Sequence, residues 1–170
     1  MEPFRRFYQQ YRESFFAYLV RFTGDCDLAG EIMQESFTRY LESYGHLPPE
    51  PRLLYAIGRN AALDAFRLKR KRCMALLREE TPDPESDQEK RLMVKQTYQC
   101  MQRALLQLSS GERDVLSLVA SGDLNYREIG EMIGITEANV KVRVHRARVK
   151  LKNLMKKEQH DGRTHQPVYR

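Results

Sequence analysis

Apolar residues return at intervals of three and four along most of this chain, the period of an α-helix with one buried face. Phe4, Phe7, Tyr8, Tyr11, Phe15, Tyr18, Leu19 and Phe22 set the pattern first. Residues 4–22 are therefore predicted to form an amphipathic helix whose aromatic stripe packs in a core, until Thr23-Gly24-Asp25 breaks it. A second helix is expected from about Asp27, read as its cap, through Leu28, Ile32, Phe37, Tyr40, Leu41 and Tyr44. The following Gly45-His46-Leu47-Pro48-Pro49-Glu50-Pro51 cannot prolong it, because proline lacks the amide proton and restricts the residue before it. Pro51 suits the first turn of a third helix, with Leu54, Ile57, Gly58, Ala61, Ala65 and Leu68 inward.

The pattern then stops. Glu79 to Glu89 reads EETPDPESDQE, with no apolar residue, which is too polar to enter a core. We place an acidic linker at 76–92, between helical units at 1–75 and 93–157, with a polar, fraying tail at 158–170. Apolar spacing resumes with Met93, Val94, Tyr98, Met101, Leu105, Leu106 and Leu108. Ser109 or Ser110 then caps a helix carrying Val115, Leu116, Leu118 and Val119, and Ser121-Gly122-Asp123 turns the chain. The expected fold is all-α: two small helical domains joined by an acidic linker.

The stretch Asn125 to Lys157 carries the most information. Ile129, Met132 and Ile133 share one face of a short helix, and Gly130 is read as room for a close helix crossing. Gly134-Ile135 turns, Thr136 is a good N-cap, and Glu137 adds negative charge where the helix dipole favours it. On the next helix Val140, Val144, Ala147, Leu151 and Leu154 form one stripe, while Lys141, Val142, Arg143, His145, Arg146 and Arg148 lie outside it. This is the layout of a helix-turn-helix whose second member lies in a DNA major groove. The plainer reading is a bundle helix with a solvated basic face.

Charge agrees with a polyanionic partner: the formal net charge is +6 and the isoelectric point about 9.3. No apolar run is long enough to insert in a membrane, and Met1-Glu2-Pro3-Phe4-Arg5-Arg6 is unlike a signal peptide, so a cytoplasmic protein is expected. Cys26, Cys73 and Cys100 form no metal-binding pattern and read as structural thiols. His46, His145, His160 and His165 make no helical metal pair. With no phosphate loop or hydrolase motif, neither an enzyme nor a cofactor or small-molecule substrate is expected. The third helix adds a second candidate surface, where Tyr55, Arg59, Asn60, Leu63, Phe66, Arg67, Arg70 and Lys71 put aromatics among cations. Rings stack on unpaired bases while cations hold phosphates; alternatively, Phe66 packs on a neighbouring segment.

Three stretches resemble one family. Leu28 to Phe37, LAGEIMQESF, resembles the helix with which sigma-70 family factors dock on RNA polymerase. Leu54 to Asp64, LYAIGRNAALD, with the basic residues after it, resembles their promoter-melting helix. Tyr126 to Arg148 resembles their helix-turn-helix for the -35 element, and the two-domain layout is similar to the extracytoplasmic-function group. The resemblance implies that Glu31, Gln34 and Glu35 contact core RNA polymerase. It assigns the loop with His46 and Leu47, together with Tyr55, Arg59, Asn60, Leu63, Phe66, Arg67 and Arg70, to the -10 non-template strand. Lys141, Val142, Arg143, His145, Arg146 and Arg148 would lie over the -35 duplex. Promoter DNA, core polymerase and an anti-sigma factor are the implied partners. Gly30 stands where the family usually has an acid, at a cost of about 1 kcal/mol in helix propensity relative to alanine. Leu53 replaces a common Trp, Ser109-Ser110 the usual prolines, and Val142 a frequent Ser.

Two other functions remain open at this point. Gly111 to Lys150 also resembles the DNA-binding domain of LuxR-type regulators, which bind duplex unaided, but their sensing domains need strands and residues 1–75 read as helix. A metal-dependent nuclease using Glu31, Glu35 and Asp64 would need carboxylates from separate helices to converge beside cations, where an ion pair is the simpler expectation.

Overall fold

A computed structural model describes residues 2–73 and 99–163, with side chains for 3–68 and 99–157. Among the described residues every regular element is a helix: α1 (Glu2–Thr23), α2 (Cys26–Tyr44), α3 (Pro51–Cys73), α4 (99–106), α5 (Ser110–Ser121), α6 (Tyr126–Ile133) and α7 (Glu137–Arg163). The linker expected at 76–92 and the apolar positions Met93, Val94 and Tyr98 lie outside the described residues. So do Thr164 to Arg170 of the expected tail. Helix α7 itself runs on to Arg163, six residues past the predicted end.

Local chemistry fixes the ends. Asp25, two residues before the expected cap, starts α2: its Oδ1 accepts hydrogen bonds from the amides of Asp27 and Leu28, each 3.0 Å away. Asp27 becomes the acid of the first turn, where its charge complements the helix dipole. Pro51 opens α3 as the sequence suggested. Ser109 and Asn125 build reciprocal capping boxes with Glu112 and Glu128, giving α5 and α6 sharply defined starts.

Helices α1, α2 and α3 pack around the predicted aromatic stripe. Phe7 stacks on Tyr40 with ring centroids 5.0 Å apart, and Phe15 meets Phe37 and Tyr55 edge-on at 5.7 and 5.1 Å. Such pairs add about 0.5–1.5 kcal/mol each beyond burial of area. Gly58 permits the closest approach, since a Cβ there would stand 2.4 Å from Phe15 Cζ and 3.3 Å from Ser36 Oγ.

The second half does not stand apart from the first. Helix α5 lies along α1, α6 touches α3, and α7 packs on α5 and α6. One continuous cluster of buried side chains joins Phe7 to Ala147. Three leucines expected inward are exposed instead: Leu41, Leu68 and Leu106. Leu68 is 58% exposed and sits beyond the reach of the bundle, whereas Leu106 covers the backbone of Gly24 at the α1–α2 turn.

Gly58→Ala should lower stability by about 1–3 kcal/mol, because the new methyl overlaps a fully buried ring. Gly30→Ala, at a helical site with nothing within 4 Å, should instead raise it by up to about 1 kcal/mol. Urea denaturation of the two variants checks both signs; equal shifts would show that the α1–α3 crossing is looser than described.

Candidate nucleic-acid interface

The geometry of α7 begins in the turn before it. Gly134 takes a left-handed conformation at φ 77°, and the Ile135 amide donates to the Gly130 carbonyl at 2.9 Å. A Cβ on Gly130 would lie 2.6 Å from the Ile135 carbonyl oxygen. Gly130 thus makes room for the backbone of the turn, not for a helix crossing as its sequence context suggested. Thr136 Oγ1 then accepts from the Asn139 amide at 3.3 Å, the expected capping contact.

Val140, Val144 and Ala147 are buried, with Leu151 and Leu154 partly so, and the stripe holds α7 against α5 and α6. Lys141, Val142, Arg143, His145, Arg146 and Arg148 are all exposed. No acidic residue occurs between Glu137 and Glu158. Lys141 Nζ lies 2.7 Å from Glu137 Oε1, which holds the ammonium above its ordinary pKa. Arg143, Arg146 and Arg148 have no carboxylate partner among the described residues. A shallow groove of about 520 Å³ continues this face along His145, Arg146, Val149 and Asn153. Lys150, which also lines the groove, reaches to α5: its Nζ meets Glu112 Oε2 at 2.9 Å and ties α7 to the start of α5. That contact, with the Ser109 amide, holds the Glu112 carboxyl below the usual range.

The α3 surface is different from what the sequence led us to expect. Tyr55 is fully buried, not exposed, and its hydroxyl donates to Asp123 Oδ2 at 2.6 Å. Burial, then this hydrogen bond, raises the phenol's pKa. Phe66 is half-buried: its ring meets Phe22 edge-on at 5.3 Å and the Arg113 guanidinium sits 5.8 Å from its centroid. Leu63 also packs on the core. Arg59 Nε meets Asp114 Oδ2 at 2.6 Å. The apolar face of α3 is wider than its periodicity shows, because α1 and α2 cover one side and the second half of the chain covers the other. Asn60 and Arg67 stay exposed, Arg67 pairing with Asp64 at 2.8 Å. His46 and Leu47 are exposed on the loop, and the side chain of Arg70 lies outside the described residues.

Asp114 was not singled out from the sequence. It is 2% exposed, accepts from Tyr18 Oη at 3.2 Å as well as from Arg59, and desolvation lifts its carboxyl pKa against the pull of Arg59. Its signal was available: an acid beside Val115 and four residues before Leu118, on a face that must be buried, needs a cation from elsewhere. Glu31, Gln34 and Glu35 are exposed on α2, with Glu35 paired to Arg39. Asp64 is on another helix, and among the described residues no three potential ligands cluster for a metal.

Comparison with known proteins supplies the family. A profile described as Sigma-70, region 4 matches residues 98–151, the span from α4 into α7. The chain is 30% identical over 170 aligned residues to the RNA polymerase sigma factor CarQ of Myxococcus xanthus, covering 91% of this chain and 95% of that protein. It is 29% identical over 157 residues to the ECF RNA polymerase sigma factor SigM of Bacillus subtilis, covering 86% and 91%. The chain belongs to the sigma-70 family, in its extracytoplasmic-function group. Solved structures agree with this sigma factor in fold. RpoE of Bartonella quintana, in complex with the anti-sigma factor NepR, superposes with a TM-score of 0.73 at 18% identity, covering 92% of this chain and 98% of that one. CnrH, in complex with the cytosolic domain of CnrY, gives 0.64 at 19% identity, covering 90% and 87%.

Gly130→Ala should cost this sigma factor about 1–3 kcal/mol, since the clash is with backbone and not with the end of a flexible side chain. Duplex affinity should fall with it as α7 tilts. A urea midpoint equal to that of the unsubstituted protein would mean the Ile135 carbonyl is free to move.

Proposed function

We propose that this sigma factor lends core RNA polymerase its promoter specificity through two DNA contacts on separate parts of the chain. In this reading the domain at 93–157 holds the -35 element as duplex. Lys141, Val142, His145 and Arg146 lie over base edges, and Arg143 and Arg148 lie near phosphates. The domain at 1–75 captures the -10 non-template strand with the His46-Leu47 loop, Tyr55, Arg59, Asn60, Leu63, Phe66, Arg67 and Arg70. Glu31, Gln34 and Glu35 on the open face of α2 dock on core polymerase. Both solved neighbours are complexes with a partner protein, and one is a sigma factor with its anti-sigma factor; an anti-sigma factor is proposed as a partner here too.

The observation that carries the proposal is α7: one buried apolar stripe, an opposite face whose arginines have no carboxylate partner among the described residues, and a capped turn that fixes its direction. Strand opening follows from binding energy, because unpaired bases are the better ligand for a surface of rings and cations. In this reading Val142, 46% exposed, meets a thymine methyl.

Run-off transcription with core polymerase separates the two contacts. Arg146→Ala should weaken promoter binding by about 1–3 kcal/mol, the worth of a bidentate contact to guanine. Asn60→Ala, at an exposed position of α3, should leave closed complexes intact and lower permanganate reactivity of the -10 thymines. Unchanged promoter discrimination in the first variant removes the -35 assignment; unchanged thymine reactivity in the second removes Asn60 from strand capture.

A further inference from the structure

The loop between α2 and α3 is fixed more tightly than an exposed turn needs to be. Gly45 to Glu50 are all exposed, yet the backbone is tied at both ends. The Gly45 amide donates to the Leu41 carbonyl at 3.0 Å and the Leu47 amide to the Tyr44 carbonyl at 2.9 Å. A Cβ on Gly45 would meet that Leu41 oxygen, so the missing side chain lets the turn close. Of the four residues Pro48 to Pro51, three are prolines, with no amide proton and a fixed φ. The fourth, Glu50, donates its amide to Tyr40 Oη at 2.7 Å.

Tyr40 can hold that amide in place because its own ring is held. It is 2% exposed and stacks on Phe7 at 5.0 Å and Phe4 at 6.4 Å. The Glu50 carboxylate also pairs with Arg52 at 2.9 Å, but both groups reach solvent and such a pair contributes little. Loop and bundle share a pocket of about 240 Å³, lined by Leu47 and Pro49 from the loop and by Phe4, Tyr40 and Leu41 from the helices. A shift of the loop would reshape that pocket and displace His46 and Leu47 together.

We infer that Tyr40 is a positioning residue for strand capture: buried beneath the loop, it acts through the Glu50 amide to hold the loop in the form that receives the unpaired strand. This rests on the strand-capture reading of the His46-Leu47 loop. The loop's conformational entropy is lost at folding, through the prolines and this hydrogen bond, so little remains to be lost on binding. The same side chains on an unlatched loop would take the strand more weakly and leave the -35 duplex contact as it was.

The test uses the full-length chain with core RNA polymerase and a fluorescein-labelled fork-junction DNA cut from the run-off template, its -35 arm duplex and its -10 non-template strand unpaired. The fully duplex fragment, kept closed in the cold, is the control. Tyr40→Phe keeps the ring and removes the hydroxyl. Fork-junction affinity should fall by about three- to ten-fold, the order of one lost hydrogen bond, while duplex affinity and helicity by circular dichroism hold. Exchange of the Glu50 amide, followed by NMR on the free chain, should quicken. Pro48→Ala loosens the loop at an exposed residue without touching the core, and should weaken the fork junction in the same selective way. The double variant His46→Ala, Leu47→Ala separates the two readings. If it weakens fork-junction binding and Tyr40→Phe does not, the inference is overturned and the strand-capture reading stands. If it leaves fork-junction binding unchanged, the strand-capture reading of the loop falls, and the inference with it. Equal losses on fork and duplex in Tyr40→Phe would also overturn the inference, since general loosening of the fold acts on both. Should Tyr40→Phe lose helicity, Pro48→Ala decides, and unchanged fork-junction affinity in that variant overturns the proposal.

Discussion

A carboxylate without water dictates how the two halves of this sigma factor meet. Asp114 is buried on α5, and an isolated charge there would be far too costly to keep, so its oxygens must find donors. Tyr18 on α1 and Arg59 on α3 supply them. Those two donors come from helices already fixed by the aromatic cluster of the first half, so satisfying Asp114 sets where α5 lies. Helix α7 follows α5 through the Lys150–Glu112 contact and its buried stripe, and the reading face follows α7. A pair of this kind is weak evidence of net stability, because desolvation offsets much of the attraction. Removing one partner alone, however, costs about 3–5 kcal/mol. Its value is in specifying one arrangement of the halves.

The reading face has its own constraint, which is backbone and not charge. The Ile135 carbonyl sits where a Gly130 side chain would be, the left-handed Gly134 reverses the chain, and Thr136 begins α7 one residue later. Small errors in this turn would swing a long helix through large distances at its far end. The stripe Val140, Val144, Ala147 holds the near end firmly, and it loosens into partial exposure at Leu151 and Leu154. The exposed positions Lys141 to Arg148 therefore lie on the best-anchored part of the helix.

Helix periodicity made nearly all of the described elements legible, because an amphipathic helix records its own buried face. Ser109 and Thr136 marked starts through local hydrogen bonding, which acts within three residues, and Pro51 marked one through its fixed φ. The exposed basic face of α7 was legible for the same reason: one stripe buried implies the other side free. The α3 face was not, because the residues that cover Tyr55 and Phe66 come from beyond residue 99. A helical wheel shows how wide an apolar face is but not how many neighbours it has. Leu68 shows the converse error, an apolar residue in register with the stripe yet 58% exposed. Asp25 against Asp27 is a smaller case, in which either acid satisfies the pattern and only the coordinates show whose oxygen reaches the free amides.

The composition of the contact between the halves also bears on how firmly they are joined. Within α1, α2 and α3 the contacts are ring on ring, and separating those helices would expose large apolar area at about 25 cal/mol per Å². Between the halves the buried apolar cluster continues, and polar contacts join it: Tyr18–Asp114, Arg59–Asp114, Tyr55–Asp123, Arg52–Glu131, and a guanidinium on Phe66. Water can replace each of those polar partners at little net cost, but parting the halves would also expose the apolar side chains of the shared cluster.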